Sequence, residues 1–101
     1  MSRKKTVELG LEVYRLIKNL PEEEEHVLAE ELLRATADVA VNISMSELED
    51  LSEDRTKFLS AARGKIAVVE TLLLICVELN YFGKKEIEAA MNLCAELRAN
   101  H

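Results

Sequence analysis

Tryptophan is absent, proline occurs once and glycine three times, and aromatic side chains make up only 4% of the 101 residues. With so few turn formers, a sandwich or barrel of many short strands is excluded. Two cysteines, Cys76 and Cys94, are too few for a disulfide framework. Long apolar runs are also missing. The most apolar stretch, Ile66 to Val77, carries Glu70 and is too short to span a bilayer. The basic start Ser2-Arg3-Lys4-Lys5 is followed by Glu8, Glu12 and Arg15, which leaves no apolar region for a signal peptide. The expectation is a soluble, cytoplasmic chain with no membrane role.

What the chain does have is Leu, Ala, Val and Ile in quantity: 49% of it is hydrophobic, enough to bury a core in one domain of 1–101. This composition is that of an all-α protein. Thirteen Lys and Arg against nineteen Asp and Glu give a net charge of -6. Acidity of this size opposes general affinity for polyphosphate, which rests on cations neutralising the backbone.

Apolar residues recur at three-to-four spacing in four segments, the pattern of amphipathic helices. The first is expected over about 6–20, with two adjoining stripes: Val7, Leu11, Tyr14 and Ile17, and Leu9, Val13, Leu16 and Leu20. Pro21 ends it, because the residue before proline avoids the α region. A second helix is expected over 22–44, with Glu22 to Glu25 in its first turn at the positive end of its dipole and Glu30 placed to pair with Arg34. Ser44 to Ser52 reads as a loop with room for one turn of helix; Asp50 or Ser52 is the candidate cap of the next helix, and Asp50 and Glu53 have capping-box spacing. The third helix, 52–80, is the longest, and Asn80-Tyr81-Phe82-Gly83 breaks it. A fourth is expected over 84–99. Short connections make these an up-and-down antiparallel bundle.

From Ile66 to Val77 apolar residues surround the third helix almost completely, whereas a surface helix needs only a stripe of roughly 100°. Ile66, Val69, Leu73, Leu74 and Val77 are therefore candidates for an interface between copies in a homo-oligomer.

Catalytic and metal motifs find no support. Glu23-x-x-His26 has the spacing of a di-metal bundle ligand pair, but such a site needs a second pair. The other histidine is His101, and Arg98 stands three residues before it. Cys76 and Cys94 read as buried thiols acting as small apolar groups. Gly83-Lys84-Lys85 lacks the glycine spacing of a phosphate loop. No enzyme, cofactor or metal is expected. Asn42 and Glu70 interrupt apolar stripes. Asn42 must find hydrogen-bond partners if buried, and Glu70 is expected to face water or pair with Arg34 or Arg63 across an interface.

Leu33-Arg34-Ala35 through Asn42-Ile43, Phe58-Leu59 through Ala62-x-Gly64 to Glu70-Thr71-x-Leu73, Leu79-Asn80-Tyr81-Phe82, and Leu20-Pro21 with the acidic residue after it together resemble a known family. These are the bacterial four-helix-bundle proteins first found encoded in intervening sequences of large-subunit ribosomal RNA genes. The resemblance runs from about Val7 to Leu97. It implies an up-and-down bundle assembled into a ring, commonly a homopentamer, and for most members no known activity. Related accessory proteins of diversity-generating retroelements form basic pentameric barrels that bind nucleic acid and a reverse transcriptase. Arg34, Asn42, Gly64 and Glu70 are the polar or special positions that match. Gly64 costs about 1 kcal/mol relative to Ala in a helix interior, and close helix approach would account for it.

The departures bear on function. After Asn42-Ile43 the family continues alanine-glutamate-glycine and then a basic pair, where this chain has Ser44-Met45-Ser46 and then Glu49-Asp50. Losing those cations weakens a phosphate-binding route. The first expectation is thus a non-enzymatic homo-oligomeric scaffold that recruits a protein partner. The alternative is a nucleic-acid-binding accessory protein whose ring gathers Arg3, Lys4, Lys5, Arg34, Arg63 and Lys65, with several weak sites acting by avidity.

Overall fold

The computed structural model describes residues 2–100. Four helices account for most of them: α1 (Ser2–Ile17), α2 (Leu28–Leu48), α3 (Ser52–Glu78) and α4 (Glu88–Asn100). They form an up-and-down bundle in which α1 packs on α2 and α4, and α3 packs on the same two.

The inner face of each helix repeats at the spacing seen in the sequence. Leu9, Val13 and Leu16 come from α1, Leu32, Val39 and Ile43 from α2, Ile66, Val69, Leu73 and Cys76 from α3, and Ala90, Cys94 and Leu97 from α4. Phe82 and Ile87 close the end between α3 and α4. Each large side chain so buried contributes about 1.5–3 kcal/mol relative to exposure. Hydroxyls in this core turn back on their own helices. Thr36 Oγ1 donates to the Leu32 carbonyl at 2.7 Å and Ser46 Oγ to that of Ile43 at 2.6 Å, so neither is buried without a partner.

Several boundaries differ from expectation: α1 spans Ser2–Ile17 instead of 6–20, and α4 starts at Glu88 instead of 84. Glu22–Glu24 form a 3₁₀ turn, and α2 begins only at Leu28. Val27, at φ -121° and ψ -85°, interrupts the helical path, and Glu24 is held instead by the Tyr81 hydroxyl, which donates to its Oε2 at 2.8 Å. At the other end, α2 runs on to Leu48 and the expected loop shrinks to three residues before Ser52. No proline or glycine stands there to stop it. Neither Asp50 nor Ser52 caps α3. Its N-cap is Leu51, without a side-chain bond, and Arg55 Nη2 reaches back to the Glu49 carbonyl at 3.0 Å.

At the end of α3, Asn80 adopts φ 64°, the left-handed conformation that ends many helices. Tyr81 N–H bonds the Cys76 carbonyl and Asn80 N–H that of Val77, both at 2.9 Å, which is the Schellman arrangement. The chain then turns through 84–87 before α4. Gly83 N–H donates to Glu86 Oε1 at 2.7 Å within that turn.

Helix length shapes the molecule. The 21 residues of α2 and 27 of α3 outrun the 16 of α1 and 13 of α4. The α2–α3 hairpin therefore projects beyond its neighbours, and the molecule measures 44 × 24 × 19 Å.

Candidate functional site

The surfaces that stand out are apolar and face away from the core. On α1, Leu9, Val13 and Leu16 point inward, while Val7, Leu11 and Tyr14 form the opposite stripe and are each at least half exposed. On α2 the outward stripe is Val41, Met45 and Leu48, the last 75% exposed, with Leu51 beyond it at the hairpin tip. On α3, Val68, Leu74 and Ile75 are exposed. Water contact with so many large apolar groups at helical spacing is the usual mark of an interaction surface.

The five interface candidates divide. Ile66, Val69 and Leu73 are 1% exposed or less and lie in the core of the single chain, which corrects their expected place between copies. They repeat at three-to-four spacing and so share the inner face of α3. Leu74 is exposed, and Val77 is half-buried against the core. The α2 stripe was missed in the sequence, although its spacing at residues 41, 45 and 48 is a helical signal.

The basic candidates do not converge on one chain. Lys5 Nζ is paired with Glu96 at 2.7 Å and Lys65 Nζ with Asp38 at 3.4 Å. Arg3, Lys4, Arg34 and Arg63 are exposed, with no ion pair among the described residues. Residues 63 and 65 stand about 200° apart around a helix, so Arg63 and Lys65 cannot serve one patch. Glu30, expected beside Arg34, instead meets His26 Nδ1 at 3.5 Å.

Glu70 meets Arg98 of its own chain, in place of the expected Arg34 or Arg63: Nη1 of Arg98 lies 2.6 Å from each carboxylate oxygen. The neighbouring Cys94 thiol is pushed up to about 12, chiefly by burial and then by the Glu70 charge, with Arg98 opposing. Burial and then Glu24 also raise the Cys76 thiol. Raised thiols are poor nucleophiles, so both cysteines act as core groups. Tyr81 is raised too, first by its hydrogen bond to Glu24.

Asn42 is half-buried, and its Nδ2 donates to the Asp38 carbonyl at 2.8 Å, which satisfies it within α2. Gly64 was expected at a close helix approach. It is exposed, and a Cβ built there would meet nothing within 4 Å, so no helix of this chain requires it.

Among the described residues no group of three or more His, Cys, Asp or Glu side chains could hold a metal ion. His101 lies outside the described residues. Nor is any described helix long and apolar enough to cross a membrane. A groove of about 370 Å³ lies between the end of α1 and the start of α2, lined by apolar groups including Tyr14, Ile17, Leu20 and Leu33 together with the charged Lys18 and Glu30.

The model of the 23S rRNA-intervening sequence protein family matches residues 2–100, and the chain belongs to that family. A crystal structure of a protein of unknown function from the S23 ribosomal protein family of Bacteroides thetaiotaomicron is similar in fold. It has a TM-score of 0.88 and 22% identity, covering 99% of this chain and 94% of that one. No curated protein matches.

Proposed function

We propose that this chain is a non-enzymatic scaffold of the four-helix-bundle family, assembled from several copies in the cytoplasm and recruiting a protein partner. The observation that carries the reading is the set of large apolar side chains left in water on three different helices: Val7, Leu11 and Tyr14, Val41 and Leu48, and Leu74 and Ile75. A monomer gains nothing from them, and closed homo-oligomers are the commonest way to bury such faces. Free buried thiols at Cys76 and Cys94 suit a reducing compartment. A ring of five is the form that the family resemblance favours. Light scattering on the purified chain tests the reading: a mass several times 11.4 kDa supports it, and a single-chain mass rejects it.

The second reading is a nucleic-acid accessory protein akin to those of diversity-generating retroelements. Exposed Arg3, Lys4, Arg34 and Arg63 favour it. It ranks second because Lys5 and Lys65 are already neutralised by carboxylates and the net charge is -6. Titration with structured RNA across a salt series separates the two, since phosphate contacts weaken steeply with salt.

A further inference from the structure

The groove between the end of α1 and the start of α2 owes its shape to the connection between them. Pro21, at φ -59° and ψ 151°, leaves the helical path, and the 3₁₀ turn of Glu22–Glu24 takes the place of a first turn of α2. The Tyr81 hydroxyl, just past the end of α3, donates to Glu24 Oε2 at 2.8 Å. This wall is thus fastened to the rest of the bundle and forms part of the fold, as binding grooves usually do.

The lining divides by chemistry. Its apolar part includes Ile17, Leu20 and Leu33, and its charged residues are Lys18, Glu22, Glu25 and Glu30. Lys18 does not neutralise these carboxylates, because its Nζ sits over the Tyr14 ring, 4.8 Å from the centroid. Glu30 faces His26 Nδ1 at 3.5 Å. Glu22 and Glu25 are exposed and have no ion pair among the described residues. An apolar groove beside two uncompensated carboxylates is complementary to an apolar group that carries a cation next to it. Tyr14 shows that an aromatic face here already accepts an ammonium group.

Exposure decides between a small molecule and a chain segment. Small-molecule sites bury roughly 70–90% of their ligand. Here Tyr14 is 52% and Leu33 40% exposed, so the groove lies open to water. An open groove suits an extended segment that inserts side chains and leaves its backbone solvated.

We propose that this groove docks a short segment of a partner protein in which an apolar side chain adjoins a lysine or arginine. The apolar group rests on Ile17, Leu20 and Leu33, and the cation meets Glu22 and Glu25. The proposal rests on the partner-recruiting reading above and names the chemistry of the partner.

Selection from a random short-peptide display library on the wild-type chain tests it, with the E22K/E25K variant selected in parallel. Both positions are exposed, and circular dichroism checks that the variant stays helical. The wild type is expected to enrich sequences in which Leu, Ile, Met or Phe adjoins Lys or Arg, and the variant is not. An enriched peptide, synthesised and titrated, should bind the variant roughly tenfold more weakly and lose affinity as salt is added. It should also shift the backbone amide signals of Ala29 and Leu33. Enrichment of acidic or purely apolar sequences overturns the proposal, as does no enrichment at all. So does a basic peptide that binds both proteins alike or shifts signals elsewhere. The wild-type mass is read separately: a selected basic peptide on a single-chain species keeps the groove and removes the assembly, whereas a multiple mass without such a peptide does the reverse.

Discussion

Nη1 of Arg98 on α4 lies 2.6 Å from both carboxylate oxygens of Glu70 on α3, clasping the two helices where they otherwise share little surface. Glu70 is the more buried partner. Removing Arg98 alone should therefore leave a half-buried carboxylate without its counterion, which is costlier than removing both charges. Arg98→Met is expected to lower the melting temperature more than the double variant Arg98→Met/Glu70→Met. Equal or additive losses in thermal melts would mean that the pair is uncoupled.

The same pair borders Cys94, and this gives a pH signature. The folded chain holds the Cys94 thiol protonated to about 12, above an ordinary value of 9.0. An unfolded chain ionises sooner, so stability is intact below the ordinary value and falls as pH rises toward the folded one. One such group contributes a slope of at most about 1.4 kcal/mol per pH unit. Denaturant unfolding from pH 8 to 11 should show this decline, and Cys94→Ala should flatten it. A variant slope equal to that of the wild type would remove Cys94 as its source.

Leu73 and Leu74 are sequence neighbours with opposite fates, one in the core and one half exposed. Leu73→Ala is expected to cost about 2–5 kcal/mol, as buried leucine truncations do. Leu74→Ala should change the stability of the single chain by only about 0.5 kcal/mol, as surface changes do. Urea unfolding at dilute concentration checks both, and similar losses at the two positions would contradict the assigned core.

Periodicity accounts for how much of this was readable. Spacing revealed four helices and both stripes of α1, but spacing is blind to which stripe faces inward. Val7, Leu11 and Tyr14 look as core-like as Leu9, Val13 and Leu16. On α3 the difficulty is greater. Ile66, Val69 and Leu73 share a residue type with Leu74 and Ile75, and only packing against α2 and α4 divides them. Contacts between distant positions, such as Glu70 with Arg98 or Glu24 with Tyr81, have no local signature. The late start of α2 is of this kind too, because Glu24 answers to a tyrosine 57 residues away.

Gly64 offers a cleaner stability test. Nothing stands within 4 Å of a Cβ placed there, so Gly64→Ala should stabilise α3 by about 0.5–1 kcal/mol through reduced backbone freedom. The added methyl meets open space on the exposed side of α3, so the mass should stay unchanged. A dissociated Gly64→Ala variant would place another copy close against α3.

The central claim is that a single copy leaves more apolar helix surface in water than it can hide. Light scattering on the wild-type chain, diluted stepwise at fixed salt, tests it most directly. The account predicts a mass that is a whole multiple of 11.4 kDa and that falls only at the lowest concentrations. A folded, helical species of 11.4 kDa at every concentration would contradict it.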